Sequence, residues 1–272
     1  METSASPAHA FDQAIALSPS GDDAYTGRTS PAYANMVGPF GGIIGATLLN
    51  AIMDHPARLG DPVSLTVHYA APIADGDFSV NARAMRTNRS TQHWLVELRQ
   101  SDQVAAFATA VTALRRETWT TTDATFPSVP PAADIAPMPP LSFARWTDCY
   151  EMRIIDGGPG AAASTEHPSQ TRLWLRDQPP RPLDFLSLAA LCDAFFPRIF
   201  VRRAQRVPIG TVVLTTFFHA DADQLGALGT EHLLGTARGL HFGKGFFDQS
   251  AEVWSAAGTL LATSHQAVYF KE

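Results

Sequence analysis

The chain runs to 272 residues, 45% of them hydrophobic and 17% charged, with a formal charge of −6; this composition supplies a large core and excludes a disordered chain. The acidic balance excludes a general nucleic-acid binder, which needs a basic field, and no run approaches the roughly 20 consecutive apolar residues of a membrane span. Cys149 and Cys192 are the only cysteines, too few for a disulfide framework or a cysteine-held zinc, and residues 1–10 lack a basic start and an apolar stretch, so a reduced, cytoplasmic setting is expected.

Residues 14–17 and 25–28 read as short strands around the turn Pro19-Ser20-Gly21-Asp22. Gly38-Pro39-Phe40-Gly41-Gly42 then punctuates the chain ahead of a helix over 43–53, apolar on nearly every face and therefore expected to be buried. His55-Pro56 and Gly60-Asp61-Pro62 close it. Strands follow at 63–70, 77–86, 92–100 and 104–114, a spacing that suits an antiparallel meander better than βαβ units. A threonine run and then Pro127, Pro130, Pro131, Pro137, Pro139 and Pro140 mark 118–140 as a stiff, extended linker. Beyond it come strands at 149–155 and 171–176, around a small-residue loop at 157–164 expected to be mobile. Asp184 is placed to cap a second apolar helix over 185–196, which runs to Pro197. Strands at 211–219, 231–240, 245–255 and 259–270 complete the chain.

These elements repeat. Val63-Ser64-Leu65-Thr66-Val67-His68-Tyr69 is matched by Val212-Val213-Leu214-Thr215-Thr216-Phe217-Phe218, and each run follows an apolar helical stretch. Each also leads to a strand region ending in small residues, Phe107-Ala108-Thr109-Ala110 and Leu261-Ala262-Thr263-Ser264. The expected organisation is an N-terminal unit (1–117), the linker (118–140) and a C-terminal unit (141–272). Each unit would wrap an antiparallel sheet around one long central helix, and the sheets would join edge to edge, hiding their open edges. This is an α+β fold, a double hot-dog.

Asp193 is the most anomalous residue, lying within Leu188-Ala189-Ala190-Leu191-Cys192-Asp193-Ala194-Phe195-Phe196. Buried there, its carboxyl would have a raised pKa and could act as a general base; on an exposed helix edge it would be a surface or capping residue. Thr211 opens a strand and Gln266 lies in the last one, within Ala262-Thr263-Ser264-His265-Gln266-Ala267. In order and spacing, Cys192-Asp193-Ala194-Phe195, Thr211 and Leu261-Ala262-Thr263-Ser264-His265-Gln266 resemble the acyl-CoA thioesterase II family, double hot-dog enzymes that hydrolyse acyl-CoA esters. The resemblance implies a site in the second unit alone, formed by Asp193, Thr211 and Gln266. In the first unit Leu48 and Leu49 lie near the Asp position and Pro62 stands where Thr211 would be. Strand alternation puts Thr211 and Thr215 on one face and Thr216 on the other.

Thioester hydrolysis needs a held water, a base and oxyanion donors. Asp193 would be the base, with Thr211 and Gln266 holding the water. The N–H groups of Gly41 and Gly42, at the start of the first helix, could receive the oxyanion, or those glycines could serve close helix–sheet packing. Two arginine clusters, Arg83/Arg86/Arg89 and Arg198/Arg202/Arg203/Arg206, are either solvated surface or a dock for a phosphorylated ligand. Arg83, Arg86, Arg89, Arg202 and Arg203 are the candidates for a CoA-binding rim. Trp94, Trp174 and Trp254 are expected in core or tunnel wall.

There is no Gly-x-Ser-x-Gly elbow and no Walker or dinucleotide motif, and the histidines lack metal-ligand spacing. Neither a cofactor nor a metal is expected. The expected substrate is an acyl-CoA, and the expected assembly a homodimer or larger homo-oligomer. Two other readings stay open: a non-catalytic acyl or acyl-CoA binding protein of the same fold, and a hot-dog enoyl-CoA hydratase in which His265 or His241 would partner Asp193.

Overall fold

The computed structural model describes residues 8–139, 141–158, 169–203 and 206–272. The first half contains α1 (Ala10–Ala14), β1 (Ser18–Pro19), β2 (Ala24–Arg28), α2 (Gly41–Met53), β3 (Asp61–Tyr69), β4 (Asp77–Thr87), β5 (Thr91–Gln100) and β6 (Gln103–Ala113). The second contains β7 (Tyr150–Asp156), β8 (Thr171–Asp177), α3 (Phe185–Leu191), α4 (Arg198–Arg203), β9 (Ile209–Phe218), α5 (Ala222–Ala227), β10 (Leu233–Arg238), β11 (Phe242–Gly243), β12 (Phe246–Trp254) and β13 (Leu260–Phe270). The strands form one antiparallel sheet in the order β1-β2-β4-β5-β6-β3-β9-β13-β12-β10-β8-β7, with β11 paired to β12. Helices α2 and α3 share its enclosed core. Every residue from Gly42 to Ile52 is buried, which is why the sequence of α2 shows no polar face. Its polar side chains are satisfied locally, Thr47 on the Ile43 carbonyl and Asn50 on the Ile15 carbonyl.

The repeated strands meet at the centre. β3 pairs antiparallel with β9, Thr66 opposite Thr215, and the two hydroxyls, 149 residues apart, touch at 3.0 Å. Equivalent residues of the two copies thus sit face to face on a pseudo-two-fold axis. The duplication extends to irregularities. β3 skips Val63 in its pairing with β6, and β9 skips Val212 in its pairing with β13, giving a bulge at the same place in each copy. Arg115 reinforces the junction by donating to the carbonyls of Pro62 and Phe218, one from each half.

Several elements depart from the sequence expectations. Residues 14–17 form no strand; the chain there leaves α1, and only Ser18–Pro19 pairs. The second helix ends at Leu191. In a continuing helix the Pro197 ring would clash with the Asp193 carbonyl. The chain instead tightens through i→i−3 bonds, Asp193 N to Ala190 O and Ala194 N to Leu191 O. Helix α5 lies in a stretch for which no element was expected, and its start is held by Asp221 and Gln224, which form a capping box. Of the loop at 157–164, only Gly157 and Gly158 fall within the described residues. The 118–140 stretch is not extended throughout: Phe126, Val129, Ala132 and Ile135 pack over Trp174, Leu234 and Trp254, and Trp174 Nε1 donates to the Pro130 carbonyl.

The two central helices touch where α2 begins. A Cβ on Gly42 would lie 2.6 Å from the Ala190 carbonyl oxygen and 2.5 Å from the Phe40 ring. Gly42→Ala should therefore destabilise the protein by roughly 1–3 kcal/mol, the usual effect of overpacking a filled core. Urea unfolding measures it, and a change below about 0.5 kcal/mol would show that the helices can separate freely.

Candidate active site

Asp193 lies in the turn leaving α3 and is only 9% exposed. Its Oδ1 accepts from Gln266 Nε2 at 3.4 Å, and Gln266 Oε1 accepts from the Thr211 hydroxyl at 3.0 Å. A turn, β13 and β9 thus contribute one residue each to a single hydrogen-bonded chain. All three line a cavity of about 680 Å3, within the usual range for small-molecule sites.

Thr211 reaches this chain because of the bulge at Val212. Leu214, Thr216 and Phe218 are buried on the inner face of β9, while Thr215 meets Thr66 on the outer one. Unbroken alternation would turn Thr211 outward with Thr215. The extra residue shifts the strand by one and turns Thr211 inward. The expectation that Thr211 and Thr215 share a face is thereby corrected.

The first half supplies the other side of the carboxylate. Asp193 faces the N-terminus of α2, where the nearby Gly42 backbone amide favours its charged form. A Cβ on Gly41 would stand 2.6 Å from Asp193 Oδ2. The Tyr69 hydroxyl, beside them, donates to the Gly41 carbonyl at 2.9 Å. A helix N-terminus favours negative charge. Burial still dominates and pushes the Asp193 carboxyl from 3.8 up to about 7, while the Gln266 bond and the Gly42 amide pull the other way. A carboxyl poised near neutrality can take a proton from water and give it back. Gly42 therefore has its N–H on the side of Asp193 and its Cα packed on Ala190, whereas Gly41 opens onto the cavity.

Five arginines named for a rim do not line the cavity. Arg83 and Arg86 are exposed on β4, their Nε atoms donating to Met85 Sδ and Asn88 Oδ1, and Arg89 is exposed in the following turn. The cavity lies instead beside Tyr69, at the end of β3 opposite the one level with Arg86. Arg202 and Arg203 are exposed on α4, where Arg203 pairs with Glu272 at 2.6 Å. Arg206 is the member of the second cluster that lines the cavity, with its guanidinium 4.3 Å from the Phe143 ring centroid. Neither candidate histidine lines it: His265 faces Asp248 at 3.4 Å, and His241 is exposed. Trp94 lies in the core of the first half and Trp174 and Trp254 lie under the 126–135 segment, so none is cavity wall; Trp146 is.

Tyr69 and Gln249 also line the cavity and were not singled out. Each carried a signal. Tyr69 matches Phe218 in the repeat, so a hydroxyl appears in one copy only. Gln249 occupies an inward position of β12 between Phe247 and Ala251, where alternation calls for an apolar residue.

Two helix-filled sheets merged into one, with a polar chain at the seam between them, define a double hot-dog protein. Residues 30–113 match the acyl-CoA thioesterase N-terminal domain and residues 126–270 the acyl-CoA thioesterase C-terminal domain. The chain belongs to this acyl-CoA thioesterase family and is a thioester hydrolase. Among solved structures it is similar to a conserved protein of unknown function with a hot dog fold from Alicyclobacillus acidocaldarius, at 48% identity and TM-score 0.93, over 97% of this chain and 99% of that one. The fold also matches the tesB protein of Mycobacterium avium subs paratuberculosis (17% identity, TM-score 0.80, 96% and 98% of the two chains). A third match is the acyl-CoA thioesterase II TesB2 of Mycobacterium marinum (17%, 0.78, 96% and 98%). No curated protein matches.

The raised pKa links Asp193 to stability. Folded Asp193 holds its proton more tightly than the unfolded chain does, so this residue's contribution falls as pH rises from about 4 to about 7 and is lowest above that. Asp193→Asn removes the ionisation. Its unfolding free energy relative to wild type should increase between pH 5 and pH 8, by an amount on the order of a few kcal/mol. A pH-independent difference in urea unfolding would mean that the carboxyl ionises normally.

Proposed function

We propose that the protein hydrolyses the thioester of an acyl-CoA to the free acid and CoA, with Asp193 as general base and Thr211 and Gln266 positioning the water. The observation that carries this reading is the Asp193–Gln266–Thr211 hydrogen-bonded chain opening onto a cavity walled by aromatic residues. The Thr211 proton is committed to Gln266, so Thr211 can only accept from a water, and an ionised Asp193 can only accept as well. A water between them gives a hydrogen bond to each and turns its lone pairs toward the thioester carbonyl carbon. As its oxygen bonds that carbon, one water proton passes to Asp193 and the C=O pair moves onto the carbonyl oxygen. Collapse re-forms C=O and breaks C–S, and the sulfur leaves with the proton returned by Asp193.

The acyl group would lie among Phe40, Trp146, Phe195, Phe196 and Phe200, where burial of apolar surface favours it. CoA would extend past Arg206, a cation at the cavity lining suited to its phosphates. Both cysteines are free and buried, in keeping with a reducing, cytoplasmic setting, and among the described residues no helix is long and apolar enough to cross a membrane. The outer sheet face exposes Met85 and Phe217, apolar surface that a homodimer would cover. A monomer by light scattering at working concentration would overturn that assembly.

Asp193→Asn and Gln266→Ala should each lower kcat by roughly 10²–10⁴-fold, read as free-thiol release from a panel of straight-chain acyl-CoAs. Wild-type turnover should fall about tenfold per pH unit below about 7, as Asp193 becomes protonated. Full activity in Asp193→Asn would refute the assignment. Arg206→Ala should raise KM about tenfold with kcat little changed. Acyl-CoA binding without thiol release from any substrate would instead identify a binding protein. Loss of enoyl absorbance without thiol release would identify a hydratase.

A further inference from the structure

Arg198 is fully buried, and among the described residues no carboxylate pairs with it. Its guanidinium is held by neutral oxygens: the Phe196 carbonyl from Nε and Nη2, Thr171 Oγ1 at 2.7 Å, and the carbonyls of Ser169 and Ala237. The remaining partner is Gln249 Oε1, which accepts from Arg198 Nε at 2.8 Å. Burying a charge without a counter-ion is expensive, so what the arrangement accomplishes is of interest. Arginine can only donate. The Gln249 amide is therefore locked with its oxygen toward Arg198, and its nitrogen is the end left over.

That nitrogen donates to no described residue, and it is not among the fully enclosed polar atoms that lack a partner, which are Tyr33 Oη, Tyr150 Oη, Asp177 Oδ1 and His232 Nε2. Gln249 itself is 2% exposed and lines the cavity, so Nε2 opens onto the cavity. Its place there is close to the chemistry. Gln249 stands directly opposite Gln266 in the β12–β13 pairing, and side chains so paired share a face with Cβ atoms about 5 Å apart. The first unit offers an internal control. The corresponding position, opposite Ala110 of β6, is Trp94, whose Nε1 is satisfied by Thr112. An inward-facing amide at this level of the sheet is thus particular to the half that carries Asp193.

We propose that Gln249 is a catalytic residue whose Nε2–H donates to the thioester carbonyl oxygen and to the oxyanion that replaces it, with Arg198 fixing the orientation of the amide. The proposal rests on the hydrolysis described above, with Asp193 as base. It supplies a preorganised side-chain donor at the oxygen, where Gly42 has its N–H turned to Asp193.

Gln249→Glu tests this most sharply. Glutamate keeps the size and the bond to Arg198 and gives that guanidinium a counter-ion, but it has no N–H for the oxyanion. Gln249→Met removes the donor without adding charge. Both should keep a cooperative thermal transition and lose roughly 10²–10³-fold in kcat on the same acyl-CoA panel, with KM altered by no more than a few-fold. The acid limb of the pH–rate profile should keep its midpoint in Gln249→Met. Turnover within threefold of wild type in folded Gln249→Glu overturns the proposal, as does a loss in Gln249→Met that is only a displaced acid limb. Should Gln249→Met fail to fold, Gln249→Glu decides alone. Asp193→Asn measured alongside separates the two readings. An inactive Asp193→Asn with an active Gln249→Glu removes only the donor role; an active Asp193→Asn removes the hydrolytic reading beneath it.

Discussion

The antiparallel pairing of β3 with β9 is the constraint on which the rest of the molecule depends. It converts two open sheets into one and hides an edge from each. Because the pairing is centred on Thr66 and Thr215, it also decides which parts of the two halves face one another. The helices α2 and α3 are brought into contact at Gly42 and Ala190. The turn after α3 then lies against the N-terminus of α2, and Asp193 is held by Gln266 from its own half and faces Gly42 of the other. A shift of one residue in the central pairing would reverse the faces of a whole strand and undo this junction.

Around that axis the halves are alike in backbone and unlike in chemistry. Both have a bulge at the equivalent valine, Val63 and Val212, and both bury an apolar helix. The residues ahead of the two bulges are Pro62 and Thr211; the inward residues at matching levels are Ala110 and Gln266, then Trp94 and Gln249. The first half fills these positions with groups that need no further partner, which suits a scaffold. The second fills them with hydrogen-bonding groups. Their desolvation is tolerated because they satisfy one another and leave polar ends directed at a cavity. A single helix–sheet unit could not build this site, since the α2 N-terminus and Tyr69 come from the half that lacks the polar chain.

Much of the fold was legible because it is written in local periodicity. The unbroken apolar run of α2 announces a buried helix, the alternating strands announce a one-sided sheet, and the recurrence of both announces two units. Asp193 could be picked out because a carboxylate among Leu, Ala and Phe is a departure from that pattern. Gln249 departs in the same way but more mildly, since an amide in a strand is commonplace. The arginines misled for the opposite reason: proximity in sequence says nothing about which end of a sheet a strand turns toward the cavity. Five members of the two clusters are spread over an outer sheet face, the turn after it and a helix surface, while Arg198 is wholly enclosed and Arg206 reaches the cavity.

The sequence alone therefore determined most of the elements, their duplication and the half in which Asp193, Thr211 and Gln266 gather, because these follow from the order of apolar and polar residues along the chain. Tertiary structure decided the rest. Thr211 faces Gln266 because a bulge, defined only by pairing with β13, shifts β9 by one residue. Asp193 titrates near neutrality because packing of both halves removes it from water. Both effects depend on partners distant in the chain, so a strand or helix read by itself contains neither.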